Sequence, residues 1–185
     1  PRTAPVPVLF DSPHSGANYP DNFDAALDRL MLRRMEDAFV DELFAAAPDY
    51  GATLIAARFP RGYVDPNRSH LDIDPAAFDD WQGPAEPTDK SRVGKGLIWT
   101  NLHGVEPLYA RRLTGDEVRA RIDNYWCPYH DAIAAAYDRI HGEFECRGGL
   151  DGGRSVAVCG GGGDRPHRCH KGPDHPVRAP SHRKG

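Results

Sequence analysis

Short apolar runs that stop at polar turns recur along the first three quarters of the chain. They lie at Val6–Phe10, at 51–59 (GATLIAARF) and at 97–102 (LIWTNL), and each predicts a short strand. The first run ends just before His14 and Ser15, so that strand should present both side chains at its carboxyl end. Residues 75–96, rich in Pro, Asp and Gly, indicate a long surface loop.

Longer segments between these runs carry apolar residues at helical spacing. One spans about residues 24–47, in one or two pieces. Another begins at Thr114 or Asp116 and reaches about residue 144, and Pro128 should kink or divide it. Strands that alternate with helices are typical of a layered α/β domain, in which ligands bind at the carboxyl ends of the strands.

The hydrophobic pattern stops at about residue 147, which divides the chain into 1–146 and 147–185. The second part contains GGGG at 160–163 and is rich in Arg, His and Pro. Such a composition buries too little apolar surface to offset the entropy lost on ordering. We therefore expect one folded domain followed by a tail that is either disordered or the product of an out-of-frame reading.

Charge and hydropathy exclude several classes of protein. The formal net charge is −4, and acidic and basic residues are interleaved, which argues against a nucleic-acid-binding protein. No apolar run is long enough to cross a bilayer, and the chain opens without the pattern of a signal peptide, so we expect a cytoplasmic protein with no membrane partner.

Two segments carry candidate metal ligands. His14, in PHSGANYP, is constrained between a proline and a small Ser-Gly turn, which suits an imidazole that must be aimed at a metal. Asp37 and Asp41 are four residues apart in the predicted helix, and a carboxylate there could complete a His/carboxylate site. The alternatives are a histidine that caps a turn and an acidic helix face exposed to solvent.

Two further segments carry candidate substrate ligands. The loop FPRGYVDPNRSHLDID contains Arg61, Asp65, Asn67 and Arg68, and an Asn-Arg pair suits the carboxylate of a small acidic molecule. The alternative is a structural Arg–Asp pair. In the later helix, Arg121, Tyr125 and His130 could line a pocket. The alternative is a surface helix with an aromatic seam, which is the favoured interpretation for Trp126 and Tyr129.

Together these segments resemble the N-formylglutamate amidohydrolase family. The resemblance rests on the ordered set PHSGANYP, EDAFVDELF, GATLIAARFPRGYVDPNR, GLIWT and PLYARRLTGDEVRARIDNYWCPYH, which covers about three quarters of the chain. It implies a three-layer α/β/α sandwich of the phosphorylase/hydrolase type, related to zinc carboxypeptidases. It also implies zinc-dependent hydrolysis of N-formyl-L-glutamate to L-glutamate and formate, a step of histidine degradation.

Carried over by residue, the resemblance implies zinc ligands at His14 and Asp37, with Asp41 as second choice for the carboxylate. It implies that Asn67 and Arg68 bind the substrate carboxylate, and it includes Arg121 and Tyr125 in family-typical text.

One departure from the family pattern bears on activity. A strand ending in Asp-x-His-Ser should follow the last helix and supply a second zinc histidine, but the text there is ECRGGLDGGRSVAV. The segment beyond it, which should supply the general base, is also missing. The domain is therefore expected to be incomplete at its C-terminal end. The alternatives to an active deformylase are an inactive, truncated family member and a module that binds an acidic metabolite.

Overall fold

The computed structural model describes residues 3–103, 106–146 and 157–159, and it is a mixed α/β fold. Its strands are β1 (Val8–Ser12), β2 (Thr53–Ala56), β3 (Asn101–Leu102), β4 (Glu106–Pro107) and β5 (Ala157–Cys159). Its α-helices are α1 (Arg29–Leu32), α2 (Val40–Leu43), α3 (Asp89–Arg92), α4 (Gly115–Arg121) and α5 (Cys127–Cys146). Single 3-10 turns lie at Asp21–Phe23, Arg33–Met35, Ala47–Tyr50 and Pro75–Ala77, and a π-helical turn at Ile122–Trp126 joins α4 to α5.

The main sheet has three parallel strands in the order β2-β1-β5. Because β1 and β2 are parallel neighbours, the loops that follow Ser12 and Ala56 leave the same edge of the sheet. The sequence does not indicate β5, which lies in the segment interpreted as a tail. The remainder of that segment lies outside the described residues, so its interpretation stays a prediction.

Consecutive residues of β1 are packed against different parts of the chain. The ring of Phe10 stacks on Phe44, just after α2, with 5.1 Å between the centroids. The carboxylate of Asp11 accepts a hydrogen bond from the hydroxyl of Tyr129 in α5. Neighbouring side chains of a strand point to opposite faces of the sheet. The α2 region and α5 therefore cover β1 from its two sides.

The helical segment predicted over residues 24–47 is confirmed only in part, because the structure forms two short helices, α1 and α2, separated by a 3-10 turn and a non-helical connection. Its apolar residues do not form one buried face, since Leu30 and Leu43 are 80% and 77% exposed. The chain turns to extended geometry at Glu36, whose carboxylate accepts a hydrogen bond from Tyr19. The next amide, Asp37 N–H, donates to the carbonyl of His14 instead of to the preceding turn. Tertiary hydrogen bonds thus override the helical period here.

The later helix is confirmed, with a change at its proline. Thr114 is the N-cap, and its hydroxyl and the Glu117 carboxylate form a capping box at the start of α4. In place of a kink at Pro128, the helix widens just before it, where the Cys127 N–H donates to Ile122, five residues back. Pro128 has no N–H to offer the preceding turn, which favours a local departure from regular spacing. Within the described ranges, no helix is both long and apolar enough to cross a membrane.

The middle of the chain contains less strand than predicted. Only Asn101 and Leu102 of the run at 97–102 form strand, paired antiparallel with β4. The run is nevertheless buried, since Leu97 and Leu102 are at most 1% exposed. The loop predicted at 75–96 includes the short helix α3.

Candidate metal and substrate site

The segment that follows β1 packs directly on the segment that follows β2. A side chain at Gly16 would place its Cβ closer than 3.0 Å to backbone atoms of Ala57, Arg58 and Phe59. The Asn18 N–H donates to the carbonyl of Arg58, at 2.9 Å. This close approach brings His14, two residues before Gly16, to the loop that carries Asp65.

The imidazole of His14 lies between two carboxylates. Its Nε2 atom is 2.8 Å from Asp65 Oδ1, and its Nδ1 atom is 3.1 Å from Asp37 Oδ2. The imidazole is buried, at 7% exposure, whereas the Asp37 side chain is 56% exposed. An imidazole nitrogen this close to a carboxylate oxygen either donates an N–H hydrogen bond to it or is a lone-pair donor that shares a metal ion with it. Of the two nitrogens, Nδ1 faces the more exposed carboxylate.

Asp65 is a fully buried carboxylate that four residues hold in place. Its Oδ1 atom accepts from His14 Nε2 and from the Asn67 N–H at 3.0 Å. Its Oδ2 atom accepts from Arg61 Nη2 at 3.1 Å and from Trp99 Nε1 at 3.3 Å. Burial raises the pKa of Asp65, but the hydrogen bond and charge of His14, with Arg61 and the Asn67 N–H, outweigh it and hold the pKa below its usual range. Asp65 is therefore an anion that fixes the Nε2–H tautomer of His14.

The two candidate acidic ligands lie in different surroundings. Asp37 was predicted to lie in a helix, but it lies in the connection before α2. There its N–H donates to the carbonyl of His14 at 3.0 Å. Its carboxylate also lies 3.6 Å from Arg61 Nη1. Asp41 lies in α2 and lines a separate, smaller cavity beside Arg33 and Glu36. Of the two, Asp37 is the carboxylate that contacts His14.

A cavity of about 500 Å³ opens beside this cluster at the carboxyl end of β1. Its charged and polar lining comes from Asp11, Ser12, His14, Asp37, Arg61 and Asn67. Apolar side chains complete the wall, among them Phe10, Val40, Phe44 and Leu54. A cavity with one apolar wall and convergent polar groups is the usual form of a small-molecule site.

The two predicted substrate ligands, Asn67 and Arg68, differ in their position relative to the cavity. Asn67 is exposed and lines the cavity, and its N–H is held by Asp65. Arg68 is not among the residues that line this cavity. Its Nε atom is buried and has no hydrogen-bond partner within the described part of the chain. An unpartnered guanidinium nitrogen next to Asn67 is a donor that a bound anion could satisfy.

The other predicted residues are not in this cavity lining. Arg121 is 2% exposed, donates to the Tyr63 carbonyl and the Tyr109 hydroxyl, and lies 4.0 Å above the Tyr63 ring. Tyr125 packs edge-on against Phe59 and Tyr63. Their role in substrate binding stays a prediction. His130 does not line the cavity either, and its Nε2–H donates to the carbonyl of Pro66, the residue before Asn67.

Among the described residues, two lie together that a metal ion could bind. Nowhere in the described ranges do three or more His, Cys, Asp or Glu side chains form a group able to hold a metal ion. His14 and Asp37 are two donors of the type that zinc accepts. Asp65 hydrogen-bonds to His14, and Trp99 hydrogen-bonds to Asp65. Neither residue is among the metal or substrate ligands that the sequence suggested. The sequence did indicate one contact of Asp65, because the structural Arg–Asp pair named as an alternative forms between Arg61 and Asp65.

Comparison with known proteins agrees with the resemblance. The model of the N-formylglutamate amidohydrolase family matches residues 6–152. The chain is 28% identical over 142 residues to an N-formylglutamate deformylase of Pseudomonas putida, covering 75% of this chain and 48% of that protein. A deformylase of Pseudomonas aeruginosa is 27% identical over 146 residues, with the same coverage of both chains.

A solved structure shows the same fold. The N-formylglutamate amidohydrolase from Ralstonia eutropha JMP134 superposes with a TM-score of 0.75 at 45% sequence identity, covering 78% of this chain and 52% of that one. The chain thus spans about half the length of the relatives that it matches. With a family match over most of its length and a shared mixed α/β fold, this chain belongs to the N-formylglutamate amidohydrolase family.

Proposed function

We propose that this chain carries the histidine–carboxylate part of a zinc-dependent deformylase site, which hydrolyses N-formyl-L-glutamate to L-glutamate and formate. The observation that carries the proposal is the placement of His14 between Asp37 and Asp65, at the mouth of a cavity that Arg61 and Asn67 also line. The names of the matched relatives, deformylases and an amidohydrolase of N-formylglutamate, support the choice of substrate.

The donor set fits zinc. A zinc-bound histidine commonly donates its second ring N–H to a carboxylate, which orients the ring and raises its basicity. Asp65 stands in that position at Nε2, and Asp37 faces the other nitrogen. His14 Nδ1 and the Asp37 carboxylate would hold the ion, and a third donor would come from outside the described residues. When bound, zinc makes water acidic enough to ionise near neutral pH and polarises an amide carbonyl.

Arg61, Asn67 and Arg68 would bind and orient the substrate. Asn67 lines the cavity, whereas Arg68 follows it in the chain, outside the lining, with a buried guanidinium nitrogen that has no partner in the described part of the chain. Both are suited to a carboxylate of the glutamyl moiety. Arg61 contributes positive charge beside Asp37, which favours an anionic substrate over a neutral amide. Holding the carboxylate in this way would place the formyl amide near His14 and lower the entropy cost of reaction.

The family resemblance also has implications for the architecture of the domain and for the role of the reaction. The described strands and helices would be one part of a three-layer α/β/α sandwich, consistent with the cover on both faces of β1. The domain would be incomplete at its C-terminal end. The reaction would serve histidine degradation in the cytoplasm.

Metal analysis of the full 185-residue protein tests the proposal. We expect zinc to bind the wild type, and His14→Ala and Asp37→Asn to lose most of it. Asp41→Asn is the matched control and should retain zinc, since Asp41 lines a different cavity. Release of formate from N-formyl-L-glutamate, measured on the same samples, tests the reaction. Zinc binding that is unchanged in His14→Ala would refute the ligand assignment.

A second candidate is a module that binds an acidic metabolite without catalysis. The observation in its favour is that the described residues supply only two metal donors beside the cavity. Calorimetry with L-glutamate and N-formyl-L-glutamate, with and without a chelator, separates the two candidates. Binding that survives the chelator, without any formate release, favours the module.

A further inference from the structure

Two side chains of the later helix reach the loop that carries Asn67. Trp126 is the last residue of the π-helical turn, and His130 lies four residues further on, in α5, so both point to the same side of the helix. The indole Nε1–H of Trp126 donates to the carbonyl of Arg68 at 3.0 Å. The His130 Nε2–H donates to the carbonyl of Pro66 at 2.9 Å. The two carbonyls that accept these bonds stand on either side of Asn67.

The rings of the two donors are in contact in a tilted arrangement. The rings of Trp126 and His130 lie 3.9 Å apart between centroids, at an interplanar angle of 33°. Trp126 is 1% exposed, so its indole cannot turn away without opening the core. The two rings therefore restrict each other's motion at the place where they donate to the two loop carbonyls.

Asp65 holds the N–H groups of the same loop. The Asn67 N–H donates to the Asp65 carboxylate, and the Arg68 N–H donates to the Asp65 carbonyl at 3.1 Å. The N–H groups at 67 and 68 are thus satisfied by Asp65, and the carbonyls at 66 and 68 by the later helix. The backbone of Asn67 is therefore fixed beside the cavity, which is a condition for a preorganised binding group.

The π-helical turn places the indole. A regular α-helix closes each turn on the residue four positions back, whereas the Cys127 N–H closes on Ile122, five positions back. The extra residue shifts all following side chains around the helix axis, by about 100° relative to an uninterrupted helix. Turns of this kind occur frequently at functional sites. Here the widened turn ends at the residue that contacts the loop.

We propose that Trp126 and His130 are positioning residues, which fix the Pro66–Arg68 backbone so that Asn67 and Arg68 can grip an acidic ligand. The identity of the ligand rests on the proposed function. The support of the loop backbone rests only on the two hydrogen bonds and the contact between the two rings.

Calorimetry with N-formyl-L-glutamate and L-glutamate tests the proposal on the full chain in zinc-containing buffer. His130→Phe keeps a ring but removes the donor, and Trp126→Phe does the same for the indole. Each should raise the Kd about five- to tenfold, the usual effect of one lost hydrogen bond. His130→Gln, which can donate from a similar position, should return the Kd to within about twofold.

The control is His141→Phe, a matched change further along α5, where His141 stacks on Tyr137. It should leave the Kd unchanged, and zinc content should be equal in all variants. A Kd that is unaffected in both His130→Phe and Trp126→Phe would overturn the proposal.

Hydrogen exchange separates failure of this inference from failure of the proposed function. The amide protons of Asn67 and Arg68 should exchange faster in His130→Phe than in the wild type or His141→Phe, whether or not a ligand binds. If the wild type binds neither compound, the proposed function fails and the exchange rates still decide the inference. Equal exchange rates at both amides would overturn it.

Discussion

The Nε2 atom of His14 and the Oδ1 atom of Asp65 lie 2.8 Å apart, although 51 residues separate them in the chain. This hydrogen bond joins the segment after β1 to the loop after β2. It gives the imidazole one tautomer and one orientation, with Nδ1 facing Asp37. The same carboxylate receives the N–H of Asn67, so one buried anion aligns the candidate metal ligand and the candidate substrate ligand.

Replacing Asp65 with Asn should weaken metal binding without removing a ligand. The amide accepts through one oxygen only, so it cannot satisfy all the donors that now surround the carboxylate. Loss of such a support typically lowers metal affinity about 10- to 100-fold. Competitive zinc titration measures the change. Trp99→Phe, which removes a single donor to Asp65, should have a smaller effect, and equal zinc affinity in Asp65→Asn and the wild type would contradict the assignment.

Removing the Asn67 side chain should weaken substrate binding more than it slows the reaction. We expect Asn67→Ala to raise KM about tenfold and to change kcat by less than about threefold, because the lost contact is to the carboxylate and not to the reacting amide. Arg68→Ala should act in the same direction. Steady-state formate release gives both constants. Arg119→Ala, on the exposed side of α4 beside Asp116, is the control, and a fall confined to kcat in Asn67→Ala would reject the role.

A side chain at residue 16 should destabilise the fold and disturb the site together. In Gly16→Ala the new methyl meets rigid backbone at 57–59, so we expect a loss of about 1–3 kcal/mol and a Tm lower by about 3–10 °C. Zinc affinity should fall as well, because His14 is two residues away. Gly142→Ala is the matched control in α5, where the added Cβ meets nothing within 4 Å, and it should raise Tm slightly because alanine favours a helix.

The start of α4 should lose stability in acid through Glu117. Its hydrogen bond to Arg111 lowers the pKa of Glu117 to about 2, against burial, and the bonds from Thr114 add to the effect. Because the folded pKa lies below the unfolded value of 4.5, the stabilisation is complete above about pH 4.5 and disappears as the pH falls through about 2.

Thermal unfolding of Glu117→Gln should show this dependence. The wild type should have the higher Tm at pH 6, and the two curves should converge by about pH 2. Glu106→Gln, an exposed glutamate of β4, is the control. A gap in Tm between wild type and Glu117→Gln that does not change with pH would show that the loss arises from side-chain packing and not from charge.

Local patterns were sufficient for some elements of this protein. The strand before His14, the strand at GATLIAARF and the capped helix from Thr114 all appear, because each depends on residues close together in the chain. Ordered motifs were likewise sufficient for the family. The helical spacing at 24–47 predicted more helix than forms, because Glu36 and Asp37 make tertiary hydrogen bonds that interrupt the segment between α1 and α2 and that no periodic pattern contains.

The candidate site shows the same division. The sequence by itself determined which residues are candidates for the chemistry, among them His14, Asp37 and Asn67, because it contains their residue types and the turn residues around them. Only the tertiary structure decided that Asp65 orients His14, that Asp37 and not Asp41 faces it, and that Trp126 and His130 support the Asn67 loop. Those relationships join segments more than twenty residues apart, and their geometry depends on how the backbone packs, which no local pattern specifies.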